Sequence, residues 1–250
     1  MVGKMTNVDI MTIAISRLLQ DGETVFHGVS SPLPMVAIQL AKKMHAKNLI
    51  YLNIPGGTNG QMNKQNKTST ASHDLHHQMS SYTPLTEIFD LSQRGRLDVA
   101  FLSGVQFDNK GNVNASVIGD YHHPKVRLPG GAGSAVLIPT AKKPIIWRSK
   151  HDKRTFVDSC DFNTTKGNIY RYVTPLCIFK IENEEVVLDS IHETSSLEEV
   201  MSHTGFTVKY DAVRFTKRPT NEELRILQQV DPTRIRYMEF DSKDIKFLEK

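Results

Sequence analysis

The apolar residues Val8, Met11, Ile15 and Leu18 recur at helical spacing, with Asp9, Thr12, Ser16 and Arg17 largely on the other faces. This predicts an opening amphipathic helix, with Asn7 placed to cap it and Gly22 to stop it. Residues 24–29 are then a compact, mostly apolar run that reads as a buried strand. Ser31 and Pro32 follow as a capping hydroxyl and a first-turn proline, opening a helix with Leu33, Val36, Leu40 and Met44 on one face. Residues 49–52 form a second strand. Helix, strand, helix, strand at this spacing predicts βαβ units and hence an α/β fold with an open, mostly parallel sheet and flanking helices. The helical period returns at Leu85, Ile88, Phe89 and Leu91, and residues 99–102 are a further buried strand. Beyond them, residues 136–138 and 145–147 read as strands. Shorter strands over 173–181 and 185–192, expected to be antiparallel, precede helices begun at Ser195 or Ser196 and after Thr220, where glutamates occupy the first turn.

Between Thr58 and Thr83 the pattern disappears. That stretch is polar, with few apolar residues beyond Met62, Leu75 and Met79, and its length suggests a lid, a partner contact or a mobile insertion. Within it His73, His76 and His77 stand at helical spacing beside Asp74, which suits either a metal or a solvated loop. The charged tail over 241–250 is expected to fray. Residues 1–250 suit one large domain.

Composition narrows the function. A net charge of +4, with Lys and Arg spread along the chain, leaves no stripe to hold a nucleic acid. Two cysteines in separate segments, Cys160 and Cys177, suit a reduced cytoplasmic compartment and show no metal-ligand spacing. The N-terminus has no long apolar stretch, so neither a signal peptide nor a membrane span is expected.

Residues 104–135 hold six of the fifteen glycines. Glycine this dense suits either surface turns or a loop that a ligand approaches closely. The wording FLSGVQFDNKGNVN, IGDYHHPKVR and PGGAGSA resembles the beta subunit of family I CoA-transferases, most nearly the glutaconate CoA-transferase type, and the likeness runs from about residue 10 to 232. It implies the CoA-transferase (NagB/RpiA-like) fold, acyl-CoA thioesters as substrates with coenzyme A as the group carried, no metal, and a homologous alpha subunit completing the site.

In that family a glutamate at the end of the second strand attacks the thioester, forming an anhydride and then a glutamyl-CoA intermediate. The matching position here is Ile54, with Asn53 beside it, and neither is a carboxylate. The same scaffold is known to carry a 3-methylglutaconyl-CoA decarboxylase, with cysteine at this position, and a hydrolase of steroid-derived acyl-CoA. Residues 28–52 and 87–98 are especially like the decarboxylase subunit. Three functions therefore stay open: transfer, decarboxylation or hydrolysis, and a non-catalytic subunit that binds CoA or the partner.

In an open α/β sheet the site lies beyond the carboxyl ends of the strands, where residues 28–31, 53–57 and the loop after Leu102 converge. Backbone N–H groups of Gly130, Gly131 and Gly133 are expected near the CoA thioester or pantetheine. Ser30 and Gln106 are candidates to bind substrate or to cap neighbouring backbone. His122 and His123 suit either acid–base work or a turn fixed by Pro124. Lys125 and Arg127 suit CoA phosphate or an acidic partner, and the basic turn Lys150, His151, Lys153, Arg154 a phosphate or solvent.

Overall fold

A computed structural model describes residues 4–61 and 69–248. Helix α1 (Asn7–Arg17) begins from Thr6, whose hydroxyl accepts the Asp9 N–H while the Asp9 carboxylate accepts the Thr6 N–H. This reciprocal cap lies one residue before the Asn7 expected from the pattern. Asn7 instead ties down the C-terminus: its amide donates to the Asp244 carbonyl at 2.9 Å and accepts from the Lys246 N–H at 3.0 Å.

Strand β1 (Thr24–His27), helix α2 (Pro32–Met44) and strand β2 (Ile50–Leu52) follow as expected. However, the Ser31 hydroxyl does not cap α2 but donates to the Val29 carbonyl. Next come β3 (Gly57–Thr58), β4 (Ser81–Tyr82), α3 (Leu85–Gln93) and β5 (Val99–Leu102). The glycine-rich region contains β6 (Gln106–Phe107), β7 (Asn112–Asn114), β8 (Val117–Gly119) and β9 (Pro124–Arg127), and leads into α4 (Ser134–Thr140). The remainder is β10 (Lys143–Trp147), β11 (Thr165–Lys166), β12 (Arg171–Val173), β13 (Cys177–Glu182), β14 (Glu185–Ile191), α5 (Leu197–His203) and α6 (Asn221–Val230).

Nine strands form one sheet in the order β14-β13-β12-β10-β5-β1-β2-β3-β4. The five from β12 to β2 are parallel, and both flanks turn antiparallel. Antiparallel β13 and β14 match the C-terminal expectation; β3 and β4 come from the stretch that showed no pattern. Alternate strand residues feed two cores. Val99 and Phe101 face the layer of α1, α2 and α6, while Ala100 and Leu102 face that of α3, α4 and α5.

One expectation is corrected. Residues 136–138 are helical: the Gly131 carbonyl accepts the N–H groups of Ser134 and Ala135, which starts a turn that Leu137 and Ile138 bury. A short apolar run is ambiguous by periodicity alone. In the described part of the tail, Asn7 N–H donates to Lys246 O and Leu248 N–H to Met5 O, both at 2.9 Å, and Phe247 bridges Thr6. Where the 58–83 stretch is described, Leu75 is fully buried in a 3-10 turn over His73–His76; residues 62–68 lie outside the described residues.

Three imidazoles are sealed inside this fold. His27 donates from Nδ1 to the Gly28 carbonyl and accepts the Tyr51 hydroxyl at Nε2, 2.6 Å away. His151 lies between the hydroxyls of Thr174 and Thr204, and His192 between Thr216 and the Thr174 carbonyl. Burial pushes them down to about 4, about 3 and about 4 from the usual 6.5. The unfolded chain therefore binds more protons than the folded one between these values and pH 6.5, so stability falls as pH drops through that window. With up to three protons taken up, the expected loss is roughly 2–4 kcal/mol per pH unit near pH 5. Urea unfolding midpoints measured at pH 7 and pH 5 check it, and equal midpoints would contradict it.

Candidate active site

Four loops meet at the carboxyl ends of the parallel strands: residues 28–31 after β1, 53–57 after β2, 103–105 after β5, and Arg148 onward after β10. The Gly28 N–H donates to Phe101 O, pinning the first loop to β5. Ser30 is exposed and held at φ +49°, a backbone conformation that residues with a side chain seldom adopt. A position of this kind suits a loop shaped for a ligand.

Asn53 is fully buried and spends its amide on the scaffold. Its Nδ2 donates to Leu75 O at 3.0 Å and its Oδ1 accepts the Gly57 N–H at 2.7 Å. His76 Nε2 donates to the Pro55 carbonyl at 2.8 Å. The described part of the polar stretch is thus the clamp that fixes the loop after β2. Gly60 is its pivot, since a Cβ there would lie 1.9 Å from the Leu75 carbonyl oxygen. Between these anchors Ile54 is half-buried against the core on the α3 and α4 side.

The glycine-rich turn arrives from the neighbouring strand ends. Gly130 takes φ +92° and donates to Ala115 O, and Ala132 is also left-handed, at φ +41°. Among the described residues, the N–H groups of Gly131, Ala132 and Gly133 have no acceptor. Gly133 caps α4, and the Ser134 hydroxyl donates to Ser103 O at 3.4 Å, which joins this turn to the end of β5. Ser103 Oγ donates in turn to Trp147 O, and Arg148 Nη1 stands 3.5 Å from Ser103 Oγ.

Other singled-out residues lie elsewhere or are occupied. Gln106 accepts from Asn114 Nδ2 at 2.7 Å and from the Asp161 N–H at 3.1 Å, and donates to Asp161 at 3.2 Å. Asp161 also holds the Gly119 N–H, so this amide braces the foot of the β8–β9 hairpin. His122 and His123 are exposed at the hairpin tip, where both N–H groups bind Asp120. Lys125 is exposed there, and Arg127 lies over the Tyr121 ring. Of the basic turn, Lys150 pairs with Asp241 at 2.7 Å, His151 is buried and neutral, and Arg154 stands 3.6 Å from Asp152. His73 and His76 stack edge to face. Among the described residues, no three His, Cys, Asp or Glu side chains gather as metal ligands, and no helix is long and apolar enough to cross a membrane.

Chemically the site is a polar backbone cradle. Residues 28–31, 53–57, 103–105 and 130–134 contain no carboxylate, thiol or imidazole. Cys160 is no substitute, because burial and the nearby Asp108 push its thiol up to about 12. The sequence reading missed Ser103, Ser134 and Arg148, although each directly flanks an apolar run and the strand-end rule points to that place.

A family model described as Coenzyme A transferase matches residues 8–203. The chain is 32% identical to the beta subunit of the 3-oxoadipate CoA-transferase of Pseudomonas knackmussii, over 89% of this chain and 92% of that one. It is 26% identical to the beta subunit of the glutaconate CoA-transferase of Acidaminococcus fermentans, over 91% and 93%. In structure it is similar to the decarboxylase AibA/AibB, with a TM-score of 0.88 at 24% identity over 94% of this chain and 98% of that one. The strand-end cradle and the matches along nearly the whole chain agree: this protein belongs to the coenzyme A transferase family.

Proposed function

We propose that this chain is the beta-type subunit of a two-chain enzyme that acts on acyl-CoA thioesters without a covalent enzyme intermediate. The observation that carries this reading is Ile54, a half-buried hydrocarbon held at the end of β2, with no carboxylate or thiol in residues 28–31, 53–57, 103–105 and 130–134. An alkyl side chain cannot be acylated, so the route through a protein-bound anhydride is closed.

What the cradle can supply is stabilisation of negative charge. The acceptor-free N–H groups of Gly131, Ala132 and Gly133 suit a thioester carbonyl whose oxygen gains charge. In a decarboxylation, the C–C bond to the carboxylate breaks, carbon dioxide leaves, and the electron pair delocalises onto the thioester oxygen. A proton then adds at carbon. In a ring-opening hydrolysis, water adds to a ring ketone β to the thioester, the C–C bond between that carbon and the α-carbon breaks to leave a carboxylic acid, the electron pair delocalises onto the same thioester oxygen, and a proton adds at the α-carbon. Neither requires a nucleophilic side chain from this chain. The remaining polar groups, and the closure that excludes water, fall to an alpha-type partner, as in the named two-subunit relatives. CoA enters as part of the substrate.

The test is mass spectrometry of a panel of acyl-CoAs incubated with the chain and its co-expressed partner, with and without acetate. Loss of carbon dioxide or gain of water, independent of acetate, is expected. Acetate-dependent exchange of CoA is the outcome favoured by the 32% identity to a transferase, and it would overturn the acceptor-free reading. Binding of CoA with no turnover would leave only the non-catalytic role.

A further inference from the structure

Among the described residues, one half-buried arginine has a buried guanidinium nitrogen and no ion pair. Arg148 is the first residue past β10, and its N–H donates to Val173 O, so its backbone closes the strand end. Its Nε is buried without an acceptor, and the 3.5 Å approach of Nη1 to Ser103 Oγ is at the limit of a hydrogen bond. Among the described residues it forms no ion pair; Asp152 and Glu239 act on it only through space, and burial pushes it below its usual range. Arg236, more deeply buried, is bonded to Asp9 and Asp231. Arg171, whose Nε is also without a hydrogen bond, still has Asp189 at 3.7 Å. An uncompensated guanidinium costs folding free energy, and such a cost persists where a ligand recovers it.

Its place in the sheet says which ligand. Ile146 pairs with Leu102, and His27 pairs with Phe101 across β5, so by register Arg148 stands beside Gly104, one residue past Ser103, with the 28–31 loop on the far side. At strand spacings of about 4.8 Å, its backbone is roughly 10 Å from that loop and roughly 14 Å from Ile54. The side chain crosses toward β5, into the crease where the glycine-rich turn is joined to Ser103. An acyl group whose thioester lies over the cradle would extend along this crease. A planar carboxylate offers the two oxygens that a guanidinium fork accepts.

We infer that Arg148 receives a carboxylate carried by the acyl group, which makes it the residue selecting acyl-CoAs with a second, free acid. This rests on the acyl-CoA reading above. CoA phosphate shares the anionic chemistry and is separated by the test.

The co-expressed complex and its Arg148→Gln variant are assayed on a dicarboxylyl-CoA and on the monocarboxylic acyl-CoA of equal chain length. The variant is expected to lose roughly 10²-fold in kcat/KM on the first and only a few-fold on the second. An equal loss on both, or on neither, overturns the assignment. Calorimetric binding of free CoA, which has phosphates but no acyl carboxylate, should be the same in both proteins; weaker binding by the variant assigns Arg148 to phosphate and overturns it. Arg148→Met should raise the thermal midpoint by a few degrees, since it removes a half-buried charge that has no ion pair among the described residues, whereas a structural arginine would give a fall. If the parent complex neither binds nor turns over any acyl-CoA, the functional reading fails first and this inference with it.

Discussion

Ile54→Glu is expected to raise acetate-dependent CoA exchange by at least about 10²-fold over the parent complex, because it installs the one group that covalent transfer lacks. The loop after β2 is already built for it. Asn53 anchors the loop to Leu75 and Gly57, His76 holds the Pro55 carbonyl, and Ile54 is left half-buried between these fixed points. A carboxylate at that position would be partly desolvated, which raises its pKa and its reactivity toward a thioester. It would also cost roughly 1–3 kcal/mol of stability where a packed hydrocarbon stood before. Ile54→Gln is the matched control, since an amide of the same shape cannot carry the acyl group. Intact-protein mass spectrometry should find a CoA adduct on the glutamate variant alone. Equal exchange by the two variants would show that residue 54 is not the acylation position of this scaffold.

Arg236→Met is expected to destabilise the fold by roughly 3–5 kcal/mol, the largest loss from one side chain outside the cores. Arg236 Nε donates to Asp9 Oδ1 at 3.0 Å and Nη1 to Asp231 Oδ2 at 2.7 Å, and the three side chains are 4%, 9% and 0% exposed. Asp9 also holds the Thr6 N–H and the Tyr237 hydroxyl, and Asp231 holds the Ile235 and Arg236 N–H groups. One guanidinium thereby locks the start of α1, the end of α6 and the chain beyond it. Removing it alone strands two buried carboxylates. The triple variant Asp9→Asn, Asp231→Asn, Arg236→Met removes the stranded charges and keeps one acceptor oxygen on each side chain, although Asp231 uses both of its oxygens for backbone N–H groups, and should recover part of the loss. Urea unfolding curves of the three proteins measure this, and a triple variant no better than the single one would refute the charge argument.

The paired-helix layers and the parallel strands were legible because hydrophobic period is local: Val8 to Leu18 and residues 99–102 declare their elements without knowledge of neighbours. The 136–138 helix was not legible, because three apolar residues fit a buried strand as well as a helix turn, and the carbonyl of Gly131 decided between them. The strand-end rule located the loops around Ser30, Ile54 and the glycine-rich turn. It did not separate residues that line a cleft from those that hold it open. Gln106, which suited either substrate or a neighbouring backbone group, is bonded within the fold to Asn114 and Asp161, and Asn53 is bonded to Leu75 and Gly57.

The family and the α/β layering could both be read before any fold was known, since each depends on residue identity or on order along the chain. Which polar groups are already satisfied could not, because that depends on contacts between distant segments. The carbonyl of Leu75 occupies the Asn53 amide from 22 residues away, and Asp231 and Asp9 together neutralise Arg236, whereas among the described residues no acid reaches Arg148. The reason is physical: a side chain's chemistry is set by its type, but its availability is set by what the folded chain brings within about 3 Å of it.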